Sequence, residues 1–406
     1  MKILYIGTVS EATEYERIVS DSKVKPSSAP HLFETTFLEG MIENGFGCDN
    51  LEILSFPMIA AYPGSKLLCW GRKSQTVLNE FTASWIPTIN LPFLKMISQS
   101  SSSKKMIEKW LIENIDNPDK CVLLYSIYYP IAKNVLSLCK RYSCKCLAFV
   151  PDLPEHMYAS KTGIKKQLSR LYVNRVTNIQ GMFDGYIYFV EPMKDRINPN
   201  KPYTVLEGIA SINNEASDCE KKRNVILYAG AISKRYGFDN LVQAFSGLEG
   251  DYELHIYGYG DYVDELIDIA STDPRIRYFG RVSHDEVIKR EREAGLLVNV
   301  RNCDDEYTAF SFPSKTFEYM LSGTPFLTTK LPGIPEEYFT YCLSISNNSP
   351  DAIREALVDF FRLSNEERDA IGARAKAFIV SQKNSEVGAK KVIDFIDNIL
   401  INNQGE

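Results

Sequence analysis

The stretch that decides the fold is Phe310-Ser311-Phe312-Pro313-Ser314-Lys315-Thr316-Phe317-Glu318-Tyr319-Met320-Leu321-Ser322-Gly323-Thr324-Pro325. It predicts a short helix that begins near Pro313, because proline has a fixed φ and no N–H and therefore suits a first helical turn. Three apolar residues at helical spacing give this helix one buried face. Gly323 ends the helix and Pro325 prevents it from resuming, so we expect a buried strand directly afterwards.

The predicted helix carries polar groups that suit a nucleotide. The N–H groups after Pro313 have no helical partner and favour an anion such as phosphate, and Ser311 or Ser314 is placed to cap the turn. Glu318 lies on or near the face of Ser314 and Lys315. Its carboxylate could accept hydrogen bonds from a pair of sugar hydroxyls, although a lone glutamate in such a place is more often a surface residue in a helical ion pair.

The pattern Pro-Ser-Lys-x-x-Glu-Tyr-Met-x-x-Gly-Thr-Pro resembles the nucleotide-binding signature of retaining glycosyltransferases of family 4. The resemblance implies the GT-B architecture, an α/β fold of two Rossmann-like domains that face each other across a cleft. It also implies that Glu318 binds the ribose of the nucleotide-sugar donor. Many members carry a second glutamate eight residues earlier, near the donor sugar. Phe310 occupies that position here, and Glu306 is a candidate substitute.

Length and composition indicate a two-domain globular protein. A chain of 406 residues is too long for one ordinary core, and 44% hydrophobic and 24% charged residues are typical of globular proteins. A net charge of −6 argues against a nucleic-acid partner. No apolar run reaches the length of a spanning helix, and the N-terminus is typical of a first strand rather than a signal peptide. We therefore expect a cytoplasmic protein, at the inner face of the membrane if its acceptor is lipid-linked.

The nine cysteines do not indicate a metal site. Only Cys144 and Cys146 lie close together in sequence, and no second pair or nearby histidine accompanies them. We interpret them as reduced, mostly structural thiols, and we expect neither a cofactor nor a metal.

Two domains and a returning helix are predicted along the chain. Residues 1–195 form the predicted acceptor-side domain, the polar stretch 191–202 its linker, and residues 203–385 the nucleotide-sugar-binding domain. Alternating strand and helix patterns in the second half predict a parallel sheet with helices on both faces, beginning with a strand at Tyr203–Leu206. Ser349-Pro350 and Ser364-x-x-Glu367 predict two helix starts. The resemblance implies that the last helix, within 386–406, returns to the first domain.

A basic, glycine-containing loop predicts a site for the donor diphosphate. The strand Val225–Tyr228 runs into Ala229-Gly230-Ala231-Ile232-Ser233-Lys234-Arg235-Tyr236-Gly237 before a helix. Lysine supplies a point charge there and arginine a fork of donors. In the family a basic residue of this loop binds the diphosphate; Lys234 and Arg235 are the matches, although Tyr236 occupies the commonest position. The predicted donor-binding set is Gly7, Gly230, Lys234, Arg235, Arg281, Val282, Ser311, Phe312, Ser314, Lys315 and Glu318; the resemblance places the nucleobase against the backbone near Arg281 and Val282.

The acceptor side is predicted at strand ends of the first half. The strand Lys2–Thr8 ends in Gly7-Thr8, and open α/β sheets bind ligands at such carboxyl ends. Residues 11–30 are predicted to be a long loop and 31–45 a helix. A later strand ends in Pro151-Asp152, where many relatives carry a His-Asp pair. Asp152 and His156 are therefore acceptor-side candidates, unless they only hold the local turn. The resemblance implies that the first loop and helix also flank the acceptor side, which makes His31 a candidate, unless it is only a polar residue near a helix start.

A basic helix and an apolar run in the first half could contact a membrane. From His156 to Phe183 there is no acidic residue, and an apolar stripe lies between the cations. The cations are Lys161, Lys165, Lys166, Arg170 and Arg175. Such a helix is usually a solvated face, but in an acidic chain it could also bind an anionic membrane or a lipid pyrophosphate. The run 91–97 could be ordinary packing or could dip into a membrane surface.

The predicted reaction is transfer of a sugar from a nucleoside diphosphate donor to a hydroxyl, with retention at the anomeric carbon. Lys234 and Arg235 would stabilise the leaving diphosphate without a metal, and Asp152 is a further catalytic candidate on the acceptor side. Relatives of this kind often build surface polysaccharides on lipid carriers, so a glycan or lipid-linked saccharide is the expected acceptor. Two alternatives stay open: a sugar-nucleotide epimerase of the same fold, and a catalytically silent nucleotide-sugar-binding protein.

Overall fold

The computed structural model describes residues 1–78, 81–157, 163–212 and 219–401. The strands are β1 Lys2–Gly7, β2 Leu51–Ser55, β3 Cys69–Trp70, β4 Ser74–Val77, β5 Phe81–Trp85, β6 Thr88–Ile89, β7 Lys120–Tyr125, β8 Lys145–Val150, β9 Gly185–Tyr188, β10 Tyr203–Val205, β11 Lys222–Ala231, β12 Glu253–Tyr259, β13 Ile276–Tyr278, β14 Ala294–Asn299, β15 Phe326–Thr329 and β16 Leu343–Ile345. The helices are α1 Ala12–Ser20, α2 Ser28–Glu43, α3 Leu94–Glu113, α4 Tyr129–Arg141, α5 Pro154–Met157, α6 Gly163–Gln180, α7 Met193–Ile197, α8 Phe238–Ser246, α9 Val263–Thr272, α10 His284–Glu293, α11 Lys315–Leu321, α12 Pro350–Arg362, α13 Asn365–Gln382 and α14 Ser385–Ile401.

The chain forms two compact units. Unit 1 is Met1–Ile209 together with Ser385–Glu406, and unit 2 is Ala210–Asn384. Each is built around a mainly parallel sheet covered by helices, which confirms the predicted α/β class with two Rossmann-like domains. Within the described ranges, no helix is long and apolar enough to cross a membrane.

Unit 1 holds an eight-stranded sheet in the order β10-β9-β8-β7-β1-β2-β5-β4. Its neighbouring strands are parallel except for the pair β4 and β5. The central strands are apolar and buried because helices cover both faces of a parallel sheet. The connections reverse direction between β1 and β7, so the carboxyl ends of these strands flank a topological switch point.

Helix α14 covers one face of the unit 1 sheet by packing on α2. A Cβ atom on Gly40 would lie 2.0 Å from the carbonyl oxygen of Ser385, so only glycine allows this approach. Asn44 adds a hydrogen bond from its Nδ2 to the carbonyl of Glu386, at 2.9 Å. Val392 and Ile396 of α14 share the core with Phe37 of α2. The last helix is therefore an integral part of the unit 1 core.

Helix α1 lies inside the segment 11–30 that the sequence predicted to be a loop. The carboxylate of Glu11 accepts hydrogen bonds from the N–H groups of Thr13 and Glu14, both at 3.0 Å, and so caps the helix. Glutamate is not among the preferred N-cap residues, which is why the pattern gave no helix signal. The next helix, α2, begins at Ser28, three residues before the predicted start at His31.

The strand at Tyr203–Val205 was expected to open the second domain but lies in unit 1. It pairs in parallel with β9, where Tyr203 is opposite Tyr186 and Val205 opposite Tyr188. Unit 2 begins after it, where Ala210 donates its N–H to the carbonyl of Lys383 at 2.8 Å. The strand pattern was correct, but a sequence does not show which of two sheets an edge strand joins.

Unit 2 holds a six-stranded, fully parallel sheet in the order β13-β12-β11-β14-β15-β16. Counted within the unit, this is the order 3-2-1-4-5-6 of doubly wound dinucleotide-binding folds. The switch point lies between β11 and β14. Ser364 and Glu367 form the predicted capping box of α13, and Ser349 caps α12 as predicted.

Candidate functional site

The loops that follow β11 and β14 meet at the switch point of unit 2. Arg235, after β11, has its Nε 3.3 Å from Oδ2 of Asp305, after β14. The guanidinium of Arg301 lies over the ring of Tyr236, with 5.1 Å from Cζ to the ring centroid. Carboxyl ends of neighbouring parallel strands share one edge of the sheet, which is where open α/β folds bind ligands. The predicted diphosphate loop therefore borders the segment that leads into the signature helix.

The two predicted diphosphate ligands are exposed cations with different neighbours. Lys234 lies over the ring of Tyr262, and its Nζ is 3.8 Å from Oε1 of Glu265 on α9. Arg235 lies over the ring of Tyr307, 4.7 Å from its centroid. More than half of each side chain is exposed, so both can turn toward a bound anion.

The signature helix α11 is fixed to β11 by a buried tyrosine. The hydroxyl of Tyr319 accepts a hydrogen bond from the N–H of Ala229 at 2.9 Å and donates to the carbonyl of the same residue at 3.2 Å. Phe312 packs on Phe317, with ring centroids 5.1 Å apart. The helix begins at Lys315, two residues after Pro313, and the Ser314 side chain makes no capping bond.

Close to α11, two carboxyl groups share one ammonium group. Lys315 is hydrogen-bonded to Glu318 one turn later, and its Nζ also lies 3.0 Å from Oε1 of Glu291 on α10. The Glu291 side chain is fully buried, whereas that of Glu318 is partly exposed. Burial and the nearby Glu318 raise the pKa of Glu291 to about 8, so Glu291 holds a proton at neutral pH. Lys315 and Glu318 then form the charged pair, with Glu318 on the accessible side.

The loop after β13 reaches the same cluster through His284. Its Nδ1 lies 3.9 Å from Oε1 of Glu318. The two residues before Ser283 are the predicted base-binding pair: Val282 packs against the core of unit 2, and Arg281 lies over the ring of Tyr259. The carbonyl of Gly280, just before them, accepts the N–H of Gly258 at 2.9 Å. The residues predicted to bind the base therefore lie close to Glu318, the residue predicted to bind the ribose.

Gly230 is positioned by a close approach of two strands. A Cβ on Gly258 would lie 1.9 Å from the carbonyl oxygen of Gly230, and Gly258 has a φ of +137° that favours glycine. The predicted donor-binding residues of unit 2 therefore lie at the carboxyl edge of one sheet or in the β14–α11 segment. Gly7, the remaining predicted donor contact, belongs to unit 1.

Gly7 lies against a buried glutamate that the sequence analysis missed. A Cβ on Gly7 would lie 1.9 Å from Oε2 of Glu34. That carboxyl accepts hydrogen bonds from the N–H of Thr8 at 2.8 Å and from the hydroxyl of Tyr5 at 2.9 Å. Burial raises the pKa of Glu34 to about 7. An acidic residue on the apolar face of α2, next to Phe33, was the available signal.

His31 lines a small cavity at the carboxyl end of β1. Its ring stacks on that of Tyr15 with centroids 3.9 Å apart and an interplanar angle of 6°. The cavity, of about 160 Å³, is also lined by Thr8 and Ser10. Burial lowers the pKa of His31, and in the described part of the chain its buried Nδ1 has no hydrogen-bond partner. A neutral imidazole next to an aromatic ring suits a hydroxyl-bearing, partly apolar ligand.

The other acceptor-side candidates follow β8. Asp152 is exposed in the turn after that strand. His156 lies in α5, but its side chain is outside the described residues. Of the predicted membrane cations, Lys166, Arg170 and Arg175 are exposed on α6; Lys161 and the Lys165 side chain are outside the described residues. Among the described residues, no cluster of three or more His, Cys, Asp or Glu side chains could hold a metal.

The chain is similar to known proteins in part of its sequence and in its fold. Residues 211–378 match the family model described as glycosyl transferases group 1. No curated protein matches the sequence. Solved structures that resemble the whole chain include Anabaena Alr3699/HepE in complex with UDP (13% identity, 98% of this chain and 100% of that one, TM-score 0.62). They also include sucrose-phosphate synthase from Thermosynechococcus elongatus (13% identity, 99% and 100%, TM-score 0.61) and the lipopolysaccharide outer core galactosyltransferase WaaB (14% identity, 98% and 99%, TM-score 0.57). Residues 211–378 are thus similar to the glycosyl transferases group 1 family, within a chain that has the GT-B fold.

Proposed function

We propose that the protein is a retaining glycosyltransferase that moves a sugar from a nucleoside diphosphate donor to a hydroxyl of a glycan or lipid-linked saccharide. One observation carries the proposal. Arg235 and Asp305 meet at the carboxyl edge of the sheet, and the Glu318 cluster lies on the helix that follows, in the segment that matches glycosyl transferases group 1. The similar Anabaena protein has been solved in complex with UDP and with UDP-glucose, which supports a nucleotide-sugar donor.

Each group of residues has a chemical role in this proposal. The Glu318 carboxylate accepts hydrogen bonds from the two ribose hydroxyls, and Lys315 orients it. The backbone at Arg281 and Val282 receives the base. Lys234 and Arg235 bind the diphosphate, whose negative charge grows as the bond to the sugar breaks. We expect no enzyme nucleophile, since retention by a front-face route needs none, and Asp152 is a candidate contact for the acceptor hydroxyl.

The acceptor and its location are also part of the proposal. WaaB, which resembles the chain in fold, is described as a lipopolysaccharide outer core galactosyltransferase, and a saccharide acceptor in surface polysaccharide synthesis would fit that likeness. We place the protein in the cytoplasm at the inner face of the membrane, where the cations of α6 would contact anionic lipids.

A nucleotide-sugar screen tests the proposal. Each donor is added to the purified full chain and the unfolding temperature is measured, because a ligand that binds the folded state raises it. The stabilising donor is then incubated with saccharide and lipid-linked acceptors, and NMR of the product reports the anomeric configuration. Transfer with retention supports the proposal. The absence of any stabilising donor would overturn it, and inversion would overturn its mechanism.

The same experiment separates the two alternatives. The epimerase is the first alternative, and Phe310, in place of the glutamate that many relatives carry, keeps the silent binder open as the second. Donor binding with neither hydrolysis nor transfer to any acceptor would support that reading. Release of free UDP and an altered sugar would support an epimerase.

A further inference from the structure

Helices α3, α4 and α6 lie side by side on unit 1 and together lack acidic residues over long stretches. The hydroxyl of Tyr128 donates to Oε1 of Gln99 on α3 at 2.9 Å, and the N–H of Tyr129 donates to the hydroxyl of Tyr172 on α6 at 3.2 Å. The stretches 81–107, 120–151 and 156–183 contain no Asp or Glu, although the whole chain carries a net charge of −6. This part of the surface is therefore positive on an otherwise acidic protein.

Helices α3 and α6 extend beyond the start of α4. Tyr172 is the tenth residue of α6, yet its hydroxyl lies beside the first residue of α4. Gln99, level with Tyr128, is the sixth residue of α3. At 1.5 Å per residue, the part of α6 before Tyr172 is about 13 Å long, and the part of α3 before Gln99 is about 8 Å long. Because these helices run antiparallel to the strands, their projecting ends lie toward the carboxyl edge of the unit 1 sheet.

The projecting end of α3 carries an exposed apolar patch. Phe93 is 79% exposed and Ile97 64% exposed, and Leu94 between them is also exposed. The exposed side chains of Leu68 and Ile89 extend the patch. The hydroxyl of Ser98 on α3 accepts a hydrogen bond from the N–H of Ile89 at 3.0 Å, and the N–H of Asn90 donates to the carbonyl of Leu68 at 2.7 Å. Phe93 also has a φ of +64°, a strained backbone conformation for a bulky residue.

The projecting end of α6 carries exposed apolar side chains next to exposed cations. Leu168 and Leu171 are exposed, and so are the neighbouring cations Lys166 and Arg170. Apolar side chains beside cations, on helices that are not hydrophobic enough to span a bilayer, are typical of surfaces that lie in a membrane interface.

We infer that the starts of α3 and α6, with Leu68 and Ile89, form a docking surface for an anionic lipid bilayer. Phe93, Leu94 and Ile97 would enter the boundary of the acyl chains, and Lys166 and Arg170 would contact the headgroups. Charge complementarity favours this occupant. A symmetric contact with a second copy would place the acid-free surface against itself, where like charges repel.

The inference goes beyond the proposed membrane contact of the basic helix, because it adds a second, apolar element and an orientation. Docking through these helix starts would turn the carboxyl edge of the unit 1 sheet, with Gly7 and Asp152, toward the lipid. It does not depend on which reaction the protein catalyses, so vesicle binding and nucleotide-sugar binding can succeed or fail separately.

Cosedimentation of the full chain with vesicles tests the surface. We expect binding to vesicles of phosphatidylcholine with phosphatidylglycerol and weak binding to phosphatidylcholine alone. Lys166→Glu with Arg170→Glu should weaken vesicle binding by about tenfold or more. Each basic residue near an anionic surface raises the affinity by a factor on the order of ten or slightly less. Phe93→Ser with Ile97→Ser should also release the protein. Ile267→Ser and Arg362→Glu, at exposed positions of α9 and α12, are the matched controls.

A fluorescence measurement tests insertion directly. In Phe93→Trp, the emission added to that of the native tryptophans should shift to the blue with anionic vesicles and be quenched by brominated acyl chains. Unchanged emission would overturn insertion at α3. Failure of the wild type to bind anionic vesicles would overturn the docking surface. A concentration-dependent dimer that Phe93→Ser with Ile97→Ser dissolves, measured by light scattering, would assign the patch to a second copy instead.

Discussion

The Nζ of Lys315 lies 3.0 Å from Oε1 of Glu291, a fully buried residue, while the same ammonium group is hydrogen-bonded to Glu318. Removing Glu291 would leave Lys315 held from one side only. In the proposed donor site Glu291 is therefore a positioning residue: it fixes the lysine that in turn orients the ribose-binding carboxylate. This role could not be predicted from sequence, because Glu291 lies among the other charged residues of α10.

Glu291 should make the stability of the protein fall as the pH rises. Its pKa is about 8 in the folded state and near 4.5 when unfolded, so between these values the folded state binds one more proton. Unfolding free energy then decreases with pH, at most by about 1.4 kcal/mol per pH unit. Urea unfolding of Glu291→Gln should show a smaller decrease than the wild type.

The pH dependence of the unfolding free energy should differ most clearly between Glu291→Gln and the wild type from pH 7 to pH 8. Glu34, whose pKa is raised to about 7, contributes a decrease of the same sign that is largely complete by pH 7. Identical pH dependence of Glu291→Gln and the wild type above pH 7 would contradict a protonated Glu291.

Glu318→Ala should weaken binding of the nucleotide-sugar. The variant loses charge-assisted hydrogen bonds to ribose hydroxyls, each contributing roughly 1.5–3 kcal/mol, so the Kd should rise at least tenfold. Isothermal titration calorimetry with the donor measures this. Glu355→Ala, at an exposed position of α12, is the control and should bind like the wild type. Equal affinity of the Glu318 variant and this control would remove Glu318 from the site.

Much of this site follows from local sequence, and the remainder depends on long-range contacts. Turn chemistry and hydrophobic periodicity predict the helix stop at Gly323, the capping box of Ser364 and the Rossmann-like class. Two other features depend on contacts between residues far apart in sequence. One is the choice of sheet that β10 joins, and the other is the contact between Glu291 and Lys315. Helix α1 was missed for a local reason, since its cap is an unusual glutamate.

Arg235→Ala and Asp305→Asn should change donor binding in opposite directions. Arg235→Ala removes a donor fork to the diphosphate, and we expect weaker binding and a transfer rate lower by about a hundredfold. Asp305 is the carboxylate that pairs with Arg235 at 3.3 Å. Its neutralisation should strengthen UDP binding, by up to about fivefold, since an exposed ion pair contributes at most about 1 kcal/mol.

Titration with UDP measures both effects, and Asp351→Asn is the matched control because Asp351 pairs with Arg354 on the exposed face of α12. Weaker UDP binding by Asp305→Asn would mean that Asp305 supports the anion site rather than competing with it.

Gly7→Ala should destabilise unit 1 and disturb the carboxyl end of β1. The new Cβ would lie 1.9 Å from Oε2 of Glu34, which is held by Tyr5 and Thr8 and cannot move without breaking those bonds. We expect a loss of about 2–3 kcal/mol, typical of overpacking in a core. Gly47→Ala is the control, because nothing lies within 4 Å of a Cβ at that position. Thermal unfolding of the two variants separates a steric clash from the general effect of replacing glycine. A Gly7→Ala protein as stable as Gly47→Ala would show that Glu34 can yield, and the buried carboxyl would then not fix the backbone that lines the cavity beside His31.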